Sequence, residues 1–398
     1  MLHIWRIVAL SLVSLSTLML LASSSALPRR RATNAVNGLK DRQLGGHRIY
    51  REYRYTTDLK TKRINITGIN VIFEDKAGVL WFGNGFGLYT YDPRLDRWDI
   101  QYQSRSVPFS RVKAIAQDGR GGIWVCAGID SEFKYFDDDI WRGASELFPE
   151  HQNIALSNMF RGRNGALWFA CEQGLVSFDG RLWSERYKLP KAVEQIYAGL
   201  KMRYKNKEEE KLAERIVELD RRLERVGKTG EQGQSVSALA ESLAGLQDRD
   251  GVTWIGAQKG ILRFEPTKHN WRVFALPEGL LHANRIHEDR RGRLWFADDD
   301  GHLSVYDKKS DSWRSHNLAK YFPQVRPVSI DAIYQDNANR MMFATEAGLI
   351  VFAESEKRWS LLTEENSEML GDDASSIIDD KDGRIWIGTA GGVLVLEP

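Results

Sequence analysis

Few residues of this 398-residue chain have the types and spacing that chemistry requires. His282 and His287, with Glu288 and Asp289 beside the second, are the clustered candidates for moving a proton. Asp380-Lys-Asp382-Gly383 opens like a calcium loop but lacks the later oxygen ligands, and equivalent turns recur along the chain, so no metal is expected. Cys126 and Cys171 do not form a Cys-x-x-Cys pair. They fall at different offsets in equivalent strands and are expected to be two small buried thiols rather than a disulfide. Asn65-Ile66-Thr67 is a glycosylation acceptor only in a host that glycosylates. The chain has no Gly-x-Ser-x-Gly elbow, no His-Glu-x-x-His and no phosphate loop followed by Lys-Ser or Lys-Thr. The expectation is a non-catalytic protein without a cofactor.

Any site must therefore be carried by the scaffold, and the scaffold is a repeat. Gly-x-x-Trp-apolar-small-x-x-x-Gly recurs with its aromatic at Trp81, Trp124, Trp168, Trp254, Trp295 and Trp386, while Met342 fills a seventh slot. A second Trp follows at a nearly fixed distance, at Trp98, Trp141, Trp183, Trp271, Trp313 and Trp359, so twelve of the thirteen Trp occupy two positions of the repeat. Each copy alternates short apolar and aromatic runs with turns of Gly, Asp and Asn, which is the pattern of hairpins and not of helices. A period of about 40 to 50 residues with four such strands predicts an all-β, seven-bladed β-propeller over residues 48–398. The Trp side chains are expected to fill the wedges between blades.

Residues 1–26 read as a signal peptide, with Arg6 before the apolar run from Ile7 to Leu21 and small residues Ser24, Ser25 and Ala26 after it. Arg29, Arg30 and Arg31 argue against cleavage and leave an uncleaved membrane anchor as the alternative. Residues 27–47 read as a flexible lead-in. Ile49 to Tyr55 resembles a fourth strand with no blade before it, and the last repeat stops before its own fourth strand, so the N-terminal strand should close the last blade against Gly392 to Glu397.

Between blades three and four, residues 191–242 depart from the repeat. Leu212, Ile216, Leu219, Leu223 and Val226 follow a heptad-like spacing in a segment rich in helix formers, predicting a helical, coiled-coil-like insertion that either folds back on itself or docks a protein partner. It is expected to be separable from the ring. The overall balance of 56 basic and 54 acidic residues gives no reason to expect a nucleic-acid partner.

The repeat, nearly complete in DKDGRIWIGTAGGVLVLE, resembles the two-component regulator propeller repeat of the sensory regions of bacterial hybrid histidine kinases. That resemblance implies an extracytoplasmic sensor ring. The chain stops with the last blade, so the phosphorelay output of such sensors is expected on another chain. Departures from the pattern are Gly162 for the turn Asp of blade three, Asn339 for the turn Gly and Met342 for the Trp of blade six, and Asp130 for the later Gly of blade two.

Function should then lie in the loops on one face of the ring, those joining second to third strands and those joining one blade to the next. That face collects Asp130, Glu132, Glu172, Lys259, Asp298, Asp299 and Glu346 from the first kind of loop, and Arg111, His282, Asn284 and Arg326 from the second. An acidic rim with a few basic and amide groups would suit an unidentified small molecule, glycan or peptide. Two readings follow: an exported, periplasmic or extracellular ligand-binding propeller of a signalling system, or a magnesium-dependent lyase. The second rests on a resemblance to the streptogramin lyases, which implies a catalytic role for His282 or His287.

Overall fold

The computed structural model describes residues 43–44, 47–54, 56–59, 62–64, 66–103, 112–127, 132–137, 140–143, 156–171, 174–184, 187–200, 207, 242–325 and 328–397. They form a seven-bladed β-propeller. The inner strands of the blades are, in order, Ile69–Glu74, Ala114–Gln117, Leu156–Arg161, Ser242–Gln247, Arg285–Glu288, Ile330–Gln335 and Ala374–Asp379. Each begins an antiparallel meander, and each inner strand neighbours the next around the ring, the seventh returning to the first.

The N-terminal strand closes that ring. His47–Arg54 pairs with Gly392–Leu396, the third strand of blade seven, in a register that sets Ile49 opposite Leu396 and Arg54 opposite Gly392. A blade assembled from both ends of the chain leaves no open edge on that strand.

The repeated Trp is buried in every blade that has one; Trp124, Trp254, Trp295 and Trp386 are among the largest fully enclosed side chains. Each belongs to an apolar cluster that draws on two neighbouring blades, as when Trp386 of blade seven meets Phe82 and Tyr91 of blade one. The aspartate opening the first turn fixes the indole: Trp81 donates to Asp75 at 2.9 Å, Trp254 to Asp248 at 2.9 Å, Trp295 to Asp289 at 3.0 Å and Trp386 to Asp380 at 2.8 Å. The turn ends in a left-handed residue, which is why glycine recurs there. In blade six Asn339, at φ 61°, takes the same conformation, one that asparagine tolerates.

One local irregularity has a packing cause. Gly245 stands where other blades carry Ile or Met because the Phe160 ring of blade three fills that space; a Cβ on Gly245 would lie 2.1 Å from it. In blade three the described residues of the outer position make two bridges, Phe178 to Trp183 and Leu175 to Tyr187. Cys126 is a buried free thiol; the Cys171 side chain lies outside the described residues.

Of the expected insertion, the helix Lys191–Gly199 is described, together with Lys207; the heptad-like segment lies outside the described residues. The start of this helix packs against the ring. Tyr197 is 1% exposed and packs with Leu175, Leu189, Ile255 and Leu262 between blades three and four. Its hydroxyl accepts the Lys259 N–H at 3.2 Å, and Leu200 reaches over Gly260.

Candidate ligand face and the opposite turn face

On the expected face, the described loops of blades five and six bring together most of the polar groups. His282 Nε2 lies 2.8 Å from Asp299 Oδ1. Burial pulls the imidazole pKa down, but Asp299, Asp298 and Asp300 outweigh that effect and hold it above its ordinary value. Asp298 faces inward and is fully buried. It accepts from the backbone N–H groups of Leu281, Asp300 and His302 and contacts His302 Nδ1 at 2.9 Å, so it organises the loop rather than facing a ligand.

At the head of the inner strands, Arg285 donates to the Asp331 backbone carbonyl at 2.5 Å and to its carboxylate at 3.1 Å, tying blade five to blade six. Burial raises the Asp331 carboxyl above its ordinary range despite Arg285, and burial together with Asp331 does the same to Asp373. Beside them Asn284 carries a buried side-chain oxygen with no donor. Ser329 completes the group, its backbone N–H directed at Glu346 at 3.4 Å and its hydroxyl at Asp331 at 3.5 Å. The arrangement brings a guanidinium, two carboxylates, a hydroxyl and an unpaired amide oxygen to the heads of two neighbouring inner strands. Lys259 stands apart, its ammonium 5.6 Å above the Tyr197 ring. Arg111, Asp130, Glu172 and Arg326 lie outside the described residues, and of Glu132 only the strand position is described.

His287 does not share this site. It pairs across the blade with Trp295, in the slot filled by Phe73, Phe160, Leu246 and Tyr334 in other blades. Burial pushes its imidazole down to about 4, so it is neutral at pH 7. Its neighbouring carboxylates are engaged elsewhere, Asp289 by Trp295 and Arg293, and Glu288 by Lys308 and Arg249.

The opposite face carries the first turns of the blades, and there the structure adds residues that the sequence reading missed. The residue after the first turn position, an aspartate except for Gly162 in blade three, reaches into the next blade: Lys76 N–H donates to Gln117 at 2.8 Å, Arg163 N–H to Gln247 at 3.0 Å, Arg249 N–H to Glu288 at 2.8 Å, Arg290 N–H to Gln335 at 2.7 Å and Lys381 N–H to Glu74 at 2.8 Å. The long basic side chains of this series cap the following turn's carbonyls, as Lys76 does for Asp118 and Gly119. The recurring Gln or Glu, Asp, then Lys or Arg was a signal in the sequence.

On this face Asp248, Asp250 and Glu288 form the one cluster among the described residues close enough to share a metal ion. Lys308 Nζ sits among them, at 3.0, 2.6 and 2.9 Å respectively. Burial opposes its charge, the three carboxylates outweigh burial, and the ammonium pKa is raised. The cation of this cluster is part of the chain.

No protein of curated function matches the sequence. Residues 368–391, in blade seven, match the family described as two component regulator propeller. Among solved structures, the chain is similar to the extracellular domain of the hybrid two component system BT3049 from B. thetaiotaomicron, with 16% identity and a TM-score of 0.60 over 87% of this chain and 41% of that one. It is likewise similar to the extracellular domain of the one component system BT4673 from the same organism, with 14% identity and a TM-score of 0.59 over 88% and 40%. The virginiamycin B lyase of Staphylococcus aureus, solved with quinupristin, gives 12% identity and a TM-score of 0.56 over 87% and 97%. The chain spans about two fifths of the sensor domains it matches, and at these identities the likeness is one of fold. No helix among the described residues is long and apolar enough to cross a membrane.

Proposed function

We propose that this chain is an exported, non-catalytic propeller that binds a polar ligand, such as a glycan or peptide, with the loops of blades five and six, as a sensory component of a signalling system. The observation that carries the reading is the buried Asn284 amide oxygen that lacks a donor, next in the chain to the Arg285–Asp331 pair and two residues from the His282–Asp299 pair. A buried polar atom left unpaired is costly, and a ligand hydroxyl or amide N–H would satisfy it. The likeness to extracellular sensor domains supports the sensory role and the location.

A thermal-shift screen of oligosaccharides and short peptides, followed by titration calorimetry, tests this. Binding should fall about tenfold or more in Asn284→Ala and Arg285→Met, the loss expected when a buried hydrogen bond to a ligand is removed. A magnesium-dependent turnover abolished by His282→Ala would replace the proposal with the lyase reading.

A further inference from the structure

The turn face of blade five carries a second feature, a groove of about 530 Å³ lined by Arg249, Arg290, Arg291, Arg293, Lys309 and Arg314, with Asp307 and Glu354 as its acidic groups. A chain with a formal net charge of +2 has no general excess of base, so six cations against two carboxylates is a local concentration. Both carboxylates are already engaged. Glu354 accepts from Arg293 at 2.6 and 2.8 Å and from Arg291 at 3.1 Å. Asp307 accepts the N–H groups of Lys309 and Ser310, which hold its carboxyl below the usual range.

The cations divide into two sets. Arg249 and Arg293 are paired with Glu288 at 3.0 Å and Asp289 at 2.7 Å, whereas the exposed Arg290 bonds neutral acceptors alone, the Asp336 carbonyl and the Asn337 amide oxygen at 2.8 Å, so its charge is not cancelled by a partner. Arg291, Lys309 and Arg314 are exposed at the rim, and neither Lys309 nor Arg314 is paired with a carboxylate among the described residues. Hydrogen-bonded guanidinium groups beside the uncommitted Lys309 and Arg314 match the charge and forked geometry by which basic side chains hold phosphate and sulfate oxygens. The volume suits a small molecule or a short oligosaccharide.

The geometry points to this groove as a binding site for a compact polyanion bearing two or more phosphate or sulfate groups, on the face opposite the proposed ligand site.

Titration calorimetry with tripolyphosphate, with a fully sulfated disaccharide and with inorganic sulfate as the single-anion reference tests the assignment. The parent should bind at least one polyanion more tightly than sulfate, with affinity falling as salt rises. The variant Arg291→Gln/Lys309→Gln/Arg314→Gln, which spares Arg249, Arg290 and Arg293, should lose about tenfold or more through its missing charge-assisted hydrogen bonds. Whichever polyanion binds better identifies the source. Polyanions that bind no more tightly than sulfate, or binding kept in the triple variant, would overturn the inference. Should the triple variant melt early, Arg314→Gln alone, which breaks no ion pair, carries the same comparison.

Discussion

The indole N–H of Trp168 is buried beside Gly162 and has no acceptor, because Gly162 stands where five other blades place an aspartate beneath their Trp. Asn164 takes over part of that role, accepting the Ala166 N–H at 3.1 Å as Asp75 accepts that of Val79, but nothing replaces the second carboxylate oxygen. The aspartate cannot simply be restored, since a Cβ on Gly162 would lie 2.7 Å from Trp168 Nε1. Trp168→Phe should therefore cost less than Trp81→Phe, by about 1–2 kcal/mol, because only the second change strips a hydrogen bond from a partly buried carboxylate. Equilibrium urea unfolding of both variants checks this, and equal losses would show that ring volume alone matters.

Lys308 is the next test, since it occupies the place of a metal ion between Asp248, Asp250 and Glu288. Lys308→Met should destabilise by about 2–4 kcal/mol by leaving carboxylates facing one another without their cation. Calcium should recover part of that stability in the variant and leave the parent unchanged in thermal melts.

The two histidines have opposite effects on pH dependence. The folded pKa of His287 is lowered to about 4, so between pH 6.5 and 4 the unfolded chain takes up a proton that the folded chain does not. Its contribution is complete above pH 6.5 and falls as pH drops toward 4, by a total on the order of 3 kcal/mol. His282 has a raised folded pKa, so its contribution is present below 6.5 and lost as pH rises through that folded value. His287→Leu, matching Leu246 in blade four, should flatten the acid side of a stability-pH curve. An unchanged slope would show that His287 titrates freely.

Ring closure gives a direct test. Removing residues 27–58 takes away the strand paired with Gly392–Leu396 and exposes its edge. The truncated protein should aggregate or lose cooperative melting, whereas a melt like the parent's would mean that blade seven is stable with three strands.

How far these features were legible in the sequence depends on whether their cause is local. The Trp, Asp and Gly of each turn interact within one hairpin, so blade number, the left-handed Asn339 and the missing partner of Trp168 follow from the repeat pattern. The closing strand was legible because two incomplete repeats at opposite ends make one whole. Contacts between blades were not. Gly245 is intelligible only once Phe160 is known to fill its space. Lys308 meets Asp248 and Asp250 across about sixty positions of sequence, which no periodicity marks. The candidate site was half legible: His282, Asn284 and Asp299 stand out in the loops, but nothing in the repeat marks Arg285 and Asp331, and Asp298 faces the protein interior instead of the loop surface.

The packing of the first helix of the insertion on the ring yields the last prediction. Helical pattern and strand pattern change near Lys191, which suggested cutting there. Yet Tyr197 and Leu200 lie within the wedge between blades three and four, and Tyr197 also accepts the Lys259 N–H at the turn of blade four. Replacing residues 191–241 by a short Gly-Ser bridge should remove a buried aromatic and leave a cavity, at about 3–5 kcal/mol. Replacing only residues 203–240 keeps both side chains and should leave the melting temperature within a few degrees of the parent, because lengthening or shortening a surface connection changes closure entropy only slowly. Tyr197→Ala in the full chain separates the two causes. If it reproduces most of the loss seen with the longer cut, the helix is a fixed part of the propeller wall. If it is neutral while the longer cut unfolds the protein, the ring depends instead on the sequence between Leu200 and Ser242.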